Sequence, residues 1–312
     1  MMKFNYAAID LGSNSCRLQI CNSAGKDIYN NHYSTRLAEG MQQNNNISKE
    51  AFVRAEDTFI KIAEQLKNYH VLPENVRAIA TAACRMANNG KILVDKIFEI
   101  SGIKLEIIDG QEEALLTLQG AAEHVRGKSK YVIVWDLGGG STEITLAYNN
   151  DNPQIIRTIS IPYGARNSAE KFELYEYNEK NANLLRQQVD EYVDKFLDGL
   201  DCFDNKQTSF VATSSSSLRL VSMIESRKIY ERNWADGKII KTAKLQELLP
   251  ILYKSSLSEL ENNSCIGKER APIFIAACVI FSRIVERLGA DNIVASLKSA
   301  KDAIIANFIL KD

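Results

Sequence analysis

Tyr-Ala-Ala-Ile-Asp-Leu-Gly-Ser-Asn-Ser occupies residues 6–15 of this chain, and Val-Ile-Val-Trp-Asp-Leu-Gly-Gly-Gly-Ser occupies residues 132–141. Each stretch has an apolar run, then Asp-Leu-Gly, then a small polar turn that ends in Ser. After each turn, apolar residues alternate with polar or small ones, which is the period-two pattern of a half-buried strand. We therefore predict that each stretch forms a strand–turn–strand hairpin.

The turns of the two hairpins have the composition of a phosphate-binding loop. Glycines permit positive φ angles and close approach by a ligand, and successive N–H groups with Ser and Thr hydroxyls can form a concave nest for phosphate oxygens. Asp10 and Asp136 end the first strands, where they can hold Mg²⁺ directly or through water. A single turn of this kind favours a plain hairpin with a capping Asp, but two copies, with aspartates 126 positions apart, favour a ligand site. The predicted loop residues are Gly12, Ser13, Asn14, Ser15, Gly138, Gly139, Gly140, Ser141 and Thr142.

The composition is that of a globular protein. Of the 312 residues, 45% are apolar and 25% are charged, which excludes a disordered chain, a collagen-like repeat and a disulfide miniprotein. The formal net charge of −1 gives no basic surface for nucleic acid. The longest uncharged apolar stretch, residues 271–281, has 11 residues, so we predict a buried helix rather than a membrane span of about 20. Without an evident secretory signal or a metal-binding Cys spacing, we expect a cytoplasmic protein with reduced, buried thiols.

The rest of the chain predicts alternating helices and strands, and the length predicts about two domains. Helices are predicted over residues 48–69, 91–100, 111–124, 165–171, 181–197, 242–260, 269–288 and 300–310, with a loop or helix over 82–88. Strands are predicted over residues 76–80, 105–108, 155–161 and 210–213. This alternation around two hairpins indicates mixed α/β domains.

Five further segments follow the same order as the motifs of a known family. Residues 8–18 read Ala-Ile-Asp-Leu-Gly-Ser-Asn-Ser-Cys-Arg-Leu, and similar agreement is found over 36–40, 80–88, 107–114, 136–144 and, more weakly, 161–165. Together they resemble the exopolyphosphatase/guanosine pentaphosphate phosphohydrolase family of the actin, Hsp70 and sugar-kinase superfamily. The resemblance implies an α/β fold of two actin-like (ribonuclease H-like) domains with an interdomain cleft, over residues 1–125 plus 300–312 and residues 126–299.

The resemblance also implies an activity and its residues. It implies release of the terminal phosphate from inorganic polyphosphate, from guanosine pentaphosphate or from both, with Mg²⁺, or Mn²⁺ as its alternative, as cofactor. Guanosine tetraphosphate is implied as a further binding partner. Glu113 is implied as the general base that activates water, and Glu143 as the group that positions this water or a metal ion. Positioning and charge neutralisation dominate phosphoryl transfer, so a carboxylate base suits the chemistry. The implied metal ligands are Asp10, Asp136 and Glu143, and the implied phosphate contacts beyond the loops are Arg85, with Arg17 and Arg36 as further candidates.

Each of these roles has a simpler structural alternative. Glu113 falls in the first turn of a predicted helix, where the helix dipole favours acids in any protein. Glu143 can be a cross-strand partner in the second hairpin, and Arg85 can form an ordinary surface ion pair.

The second domain departs from the family pattern. The family's Gly-Gly-Thr turn is replaced by the serine run 214–217, its C-terminal Arg-Glu-Gly reads Lys-Asp-Ala at 301–303, and the arginine expected after Gly164 and Ala165 is shifted to Arg166. Two alternatives to a hydrolase therefore stay open: a non-catalytic sensor of polyphosphate or alarmone, and a kinase or ATPase of the same superfamily. We expect no nucleic-acid or membrane partner, and a homodimer stays open.

Overall fold

A computed structural model describes residues 4–309, and within them it contains eleven β-strands and thirteen α-helices. The strands are β1 (Asn5–Leu11), β2 (Ser15–Asn22), β3 (Asp27–Ser34), β4 (Val76–Ala80), β5 (Leu105–Ile107), β6 (Tyr131–Leu137), β7 (Thr142–Tyr148), β8 (Ile155–Ile161), β9 (Thr208–Thr213), β10 (Ile239–Lys241) and β11 (Asn292–Ser296). The helices are α1 (Met41–Asn44), α2 (Lys49–Asn68), α3 (Ala82–Met86), α4 (Gly90–Ser101), α5 (Gly110–Ala121), α6 (Ala165–Lys171), α7 (Glu179–Leu197), α8 (Ser215–Ile224), α9 (Arg232–Ala235), α10 (Thr242–Lys254), α11 (Leu257–Asn262), α12 (Ala271–Leu288) and α13 (Ala300–Ile309).

The described residues form two compact units. The first comprises residues 4–120 and 299–309, and the second comprises residues 121–298. The boundaries expected from the sequence were 125/126 and 299/300. The difference at the first boundary arises in a short 3₁₀ turn, Ala122–Val125, which contacts strands β6, β9 and β11 of the second unit.

The first unit is built on a five-stranded sheet in the order β3-β2-β1-β4-β5. β1 pairs antiparallel with β2 and parallel with β4. Its side chains alternate between two apolar clusters: Ala7, Ile9 and Leu11 belong to one, and Tyr6 and Ala8 to the other. The first cluster contains residues of α2 and α4, and the second contains residues of α5 and α13. Because both faces of β1 are covered, its sequence is an almost continuous apolar run up to Asp10.

The second unit is built on a six-stranded sheet in the order β10-β11-β9-β6-β7-β8. Its core includes α12, of which thirteen residues are buried, and the Trp135 ring of β6 lies 5.6 Å from the Phe281 ring of α12. The prediction of a buried helix over residues 271–281 is therefore confirmed. Within the described part of the chain, no helix combines the length and the apolar character needed to cross a membrane.

The two sheets share one topology. In the first sheet, β1, β2 and β3 form an antiparallel meander, and the parallel strands β4 and β5 follow on the other side of β1. In the second sheet, β6, β7 and β8 form the meander, and the parallel strands β9 and β11 follow on the other side of β6. This arrangement is the actin-like, ribonuclease H-like topology that the resemblance implied, so the predicted α/β fold class is confirmed. Both predicted hairpins are present, as β1–β2 and β6–β7.

Several local predictions were wrong. The single helix expected over 242–260 is two helices, because Ser256 caps α11 in a reciprocal box with Glu259. Strands β3, β10 and β11 were not predicted. All six cysteines are free as expected, but Cys202 is exposed rather than buried. The end of the predicted C-terminal helix, at residue 310, lies outside the described residues.

Candidate functional site

The turn between β1 and β2 is fixed by hydrogen bonds that occupy its carbonyl groups. The Gly12 amide donates to the Ser15 carbonyl at 2.9 Å and closes the turn. The Ser13 and Asn14 carbonyls accept, each at 2.9 Å, from the amides of Ala38 and Arg36. In a trans peptide, the N–H that follows a carbonyl points the opposite way. The amides of Asn14 and Ser15 therefore face away from the segment at 36–38.

The turn between β6 and β7 repeats this construction. The Gly138 amide donates to the Ser141 carbonyl at 2.9 Å. The Gly138 carbonyl accepts from the Ala165 amide at 2.9 Å, and the Gly139 carbonyl accepts from the Arg166 amide at 2.8 Å. By the same peptide geometry, the N–H groups of Gly139 and Gly140 face away from α6. Successive backbone N–H groups turned to one side are what an anion-binding nest requires.

Gly164 lets the start of α6 approach the second loop closely. A Cβ on Gly164 would lie 2.6 Å from the Gly139 carbonyl carbon and 2.6 Å from the Gly140 amide nitrogen. Asn167 completes the contact, because its Nδ2 donates to the Gly140 carbonyl at 2.7 Å while its Oδ1 accepts from the Gly164 amide at 2.8 Å. The conformation of the second loop therefore depends on a residue without a side chain at position 164.

The polar residues after the second loop have partners within the sheet. Thr142 is fully buried, and its hydroxyl donates to the Tyr163 carbonyl at 2.7 Å, so it helps to fix the hairpin. Glu143 lies directly opposite Asp136 in the β6–β7 register, and its Oε1 accepts from the Ser160 hydroxyl at 2.9 Å. The structure thus brings together the two carboxylates that the sequence singled out in this unit.

In the first unit, the chemically active side chains collect at the carboxyl edge of the parallel strands. β1, β4 and β5 run parallel, and their ends are tied by bonds of 3.1 Å from the Thr81 amide to Leu11 and from the Ile108 amide to Ala80. Asp10 lies at the end of β1, and α5, which carries Glu113, begins directly after β5. Ligands of open α/β sheets bind at this edge.

Glu113 is held by the start of α5 and by Arg85. Asp109 caps the helix, because its Oδ1 accepts from the amides of Gln111 and Glu112 at 2.9 and 2.8 Å. Arg85 Nη1 donates to Glu113 Oε2 at 3.0 Å and to the Ile108 carbonyl at 2.9 Å. The neighbouring Glu112 instead pairs with Arg77. Arg85 was expected to contact phosphate, and its bond to the candidate base was not predicted.

Burial raises the pKa of the Glu113 carboxyl above its ordinary value. The Arg85 guanidinium acts in the opposite direction, while the negative charge of Asp10 adds to the rise in this pKa. A carboxylate whose pKa is raised is a stronger base than an exposed one, and a catalytic base works best with a pKa near the working pH. This raised pKa makes Glu113 a candidate for a general base.

Two cations, Arg17 and Lys301, act on the charge of Asp10. Burial is the largest influence and raises the pKa of Asp10, while Arg17 and Lys301 lower it. Arg17, opposite Asp10 in the β1–β2 register, places Nη1 3.8 Å from Asp10 Oδ2. Lys301 is buried, and its amine donates to Gln19 Oε1 at 3.2 Å and pairs with Asp302 at 3.0 Å. In the sequence, Lys301 is visible only as a departure from the family pattern, because no local pattern places α13 beside β1.

The contacts of Arg36 and of the serine run 214–217 are structural ones. Arg36 is exposed and adopts a positive φ of 48° in the segment that bonds to the first loop. Ser214 caps α8, where its hydroxyl accepts from the Ser217 amide at 3.2 Å. The hydroxyl of Ser217 donates to the Ala212 carbonyl at 3.0 Å. The serine run therefore begins a helix.

The carboxylates suit a metal that binds together with a phosphate ligand. Residues 4–309 contain no group of three or more His, Cys, Asp or Glu side chains arranged to hold a metal by themselves. Mg²⁺ commonly binds one or two carboxylates, retains several waters and takes its remaining ligands from substrate phosphates. Asp10 in the first unit, and Asp136 with Glu143 in the second, each meet this smaller requirement.

Comparison with known proteins gives a consistent result. The model of the Ppx/GppA phosphatase family matches residues 20–311. The chain is 27% identical over 308 residues to a bifunctional 3-dehydroquinate synthase/phosphatase of Fusobacterium nucleatum, covering 94% of this chain and 45% of that protein. It is 38% identical over 144 residues to a guanosine-5'-triphosphate,3'-diphosphate pyrophosphatase of Aliivibrio fischeri, covering 45% of this chain and 28% of that protein. The chain thus spans less than half the length of these two relatives.

A solved structure with the same fold covers nearly the whole chain. The crystal structure of an exopolyphosphatase from Cytophaga hutchinsonii superposes with a TM-score of 0.85 at 22% sequence identity. The match covers 98% of both chains. At this identity the likeness establishes the fold.

Proposed function

The chain belongs to the Ppx/GppA phosphatase family, and on this premise we propose that it is a hydrolase that releases the terminal phosphate of inorganic polyphosphate or of guanosine pentaphosphate. The observation that carries the proposal is the setting of Glu113. Its carboxyl is three-quarters buried, bonds to Arg85 and lies within the electrostatic influence of Asp10, at the sheet edge where the phosphate loop of the first unit begins. A glutamate that only stabilises the first turn of a helix through the helix dipole requires neither burial nor these charged neighbours.

In this proposal each group has one task. The backbone amides of Asn14 and Ser15 in the first unit, and those of Gly139 and Gly140 in the second, are the proposed donors to phosphate oxygens. Glu113 accepts a proton from the attacking water at Oε1 or Oε2, and Arg85 orients that carboxylate. Because phosphoryl transfer needs little covalent assistance, correct positioning and neutralisation of charge account for most of the rate.

Mg²⁺, with Mn²⁺ as its alternative, is part of the proposal. The candidate metal ligands are Asp10 in the first unit and, in the second unit, Asp136 with Glu143. When bound, the ion would neutralise charge on the phosphate oxygens. The neighbours of these carboxylates do not depend on the ion. Ser160 orients Glu143, and Arg17 and Lys301 balance the charge of Asp10.

The experiment that tests the proposal is phosphate release from a panel of substrates. Tripolyphosphate, long-chain polyphosphate, guanosine pentaphosphate and ATP are each incubated with the protein and Mg²⁺, with an EDTA-treated sample as the metal control. We expect release from at least one of the first three, loss of release in EDTA and recovery on adding Mg²⁺. Further ATP samples receive a panel of acceptors, and ADP formation that depends on an acceptor would indicate a kinase. Binding without release from any substrate would indicate a sensor.

A further inference from the structure

Arg166 differs from every other half-buried arginine of the chain. Within residues 4–309, it is the half-buried arginine whose guanidinium makes no hydrogen bond and no ion pair, and its Nε is fully buried. Arg219, Arg227 and Arg287 also have a buried Nε without a hydrogen bond, but each is bonded through a terminal nitrogen. Arg166 therefore carries a positive charge that the described residues do not balance.

The backbone of Arg166 is part of the second phosphate loop's support. Its amide donates to the Gly139 carbonyl at 2.8 Å, as the second residue of α6. Helical side chains lean toward the N-terminal end of their helix, which for α6 is the end in contact with residues 138–140. The acid best placed to pair with Arg166 along the helix is Glu170, four residues on, and the two form no ion pair in the described structure.

Arg166 has an unbalanced, partly buried guanidinium and a backbone amide that bonds to an anion-binding loop, and this combination calls for an anionic partner. A buried charge is costly unless it is paired. The guanidinium is a planar fork of N–H donors that matches two oxygens of a phosphate group. We propose that Arg166 binds a phosphoryl group of the substrate at the second loop and so determines affinity for phosphate chains. This inference rests on the proposed function, which supplies the phosphate substrate.

The test combines binding and turnover for wild type, Arg166→Met and Arg166→Lys. Binding of tripolyphosphate with Mg²⁺ is measured by calorimetry, and phosphate release is measured separately. The matched control is Arg232→Met, which removes an exposed arginine of the same unit whose side chain also makes no hydrogen bond or ion pair within residues 4–309. We expect Arg166→Met to weaken binding about 10- to 100-fold, with partial recovery in Arg166→Lys and no change in Arg232→Met.

Two further measurements separate a binding role from a structural one. A structural arginine would lower the urea midpoint when removed, whereas an arginine that awaits a ligand leaves the midpoint unchanged or raises it. Guanidinium chloride at millimolar concentration should partly restore tripolyphosphate binding to Arg166→Ala and should not affect the wild type.

Binding and phosphate release together test the role of Arg166 separately from the hydrolase activity. If the wild type binds tripolyphosphate and Arg166→Met binds it equally well, the inference is overturned and the hydrolase proposal stands. If the wild type binds and Arg166→Met does not, but no phosphate is released from any substrate, the hydrolase proposal is overturned and the inference stands. Absence of binding by the wild type overturns both.

Discussion

Glu113→Gln is expected to lower the rate of phosphate release by about 10²- to 10⁴-fold, the contribution typical of a positioned general base. The amide keeps the size of the side chain and can still accept the hydrogen bond from Arg85, which the carboxylate accepts at 3.0 Å. It cannot accept a proton from water. The measurement is kcat for phosphate release with the best substrate of the panel, together with a binding titration, in which we expect affinity to change far less than kcat.

Glu112→Gln is the matched control for Glu113→Gln. Glu112 is the preceding residue of the same helix, but it pairs with Arg77 and not with Arg85. We expect Glu112→Gln to retain wild-type kcat within about a factor of two, since exposed ion pairs contribute about 0–1 kcal/mol. Equal losses in both variants would show that helix α5 matters for stability and that Glu113 is not the base.

The pH dependence of the wild type should report the same group. Because burial raises the pKa of Glu113, the base is protonated, and the rate is lost, at a higher pH than an exposed glutamate would give. The carboxylate form that accepts the proton is present above this pKa. The acid limb should be absent from whatever activity remains in Glu113→Gln.

Gly164→Ala is expected to destabilise the second unit by about 3 kcal/mol and to abolish phosphate release. The added methyl group would lie 2.6 Å from backbone atoms of Gly139 and Gly140, and backbone cannot rotate out of the way as a side chain can. The start of α6 must then separate from the loop, which breaks the bonds from Ala165 and Arg166 to the loop carbonyls. Urea unfolding gives the loss of stability, and the phosphate assay gives the loss of activity.

Gly140→Ala is the stability control for Gly164→Ala. A Cβ on Gly140 meets no atom within 4 Å among the described residues, and Gly140 is not one of the positive-φ glycines. We expect its free energy of unfolding to stay within about 0.5 kcal/mol of wild type. A Gly164→Ala protein with wild-type stability and activity would contradict the close packing of α6 on the loop.

The hairpins could be predicted because their signal is local. An apolar run, Asp-Leu-Gly and a small polar turn appear twice within ten residues each, and both copies form the predicted strands. β3 was missed because its sequence, Asp-Ile-Tyr-Asn-Asn-His-Tyr-Ser, lies at a sheet edge where exposed and half-buried residues alternate without an apolar face. β10 and β11 were missed because they are short and lie between longer helices, and their pairing is decided by contacts distant in sequence.

In the candidate site, too, local motifs could be predicted and contacts between residues distant in sequence could not. Glu113, Asp10 and the loop glycines carry recognisable motifs, whereas the partners that set their chemistry are remote in sequence. Arg85 reaches Glu113 across 28 positions, and Lys301 influences Asp10 from the other end of the chain. For Arg166 the sequence showed only a shifted arginine. The signal that identifies it is a missing partner, which no sequence pattern contains.

In the proposed reaction, water activated in the first unit attacks the terminal phosphorus of a phosphoanhydride. The most direct test is turnover of tripolyphosphate in H₂¹⁸O, with the released phosphate and the residual diphosphate analysed by mass spectrometry after a single turnover. We expect one ¹⁸O atom in the released phosphate and none in the diphosphate. An ¹⁸O atom in the diphosphate, or unlabelled phosphate passed to another acceptor, would contradict it.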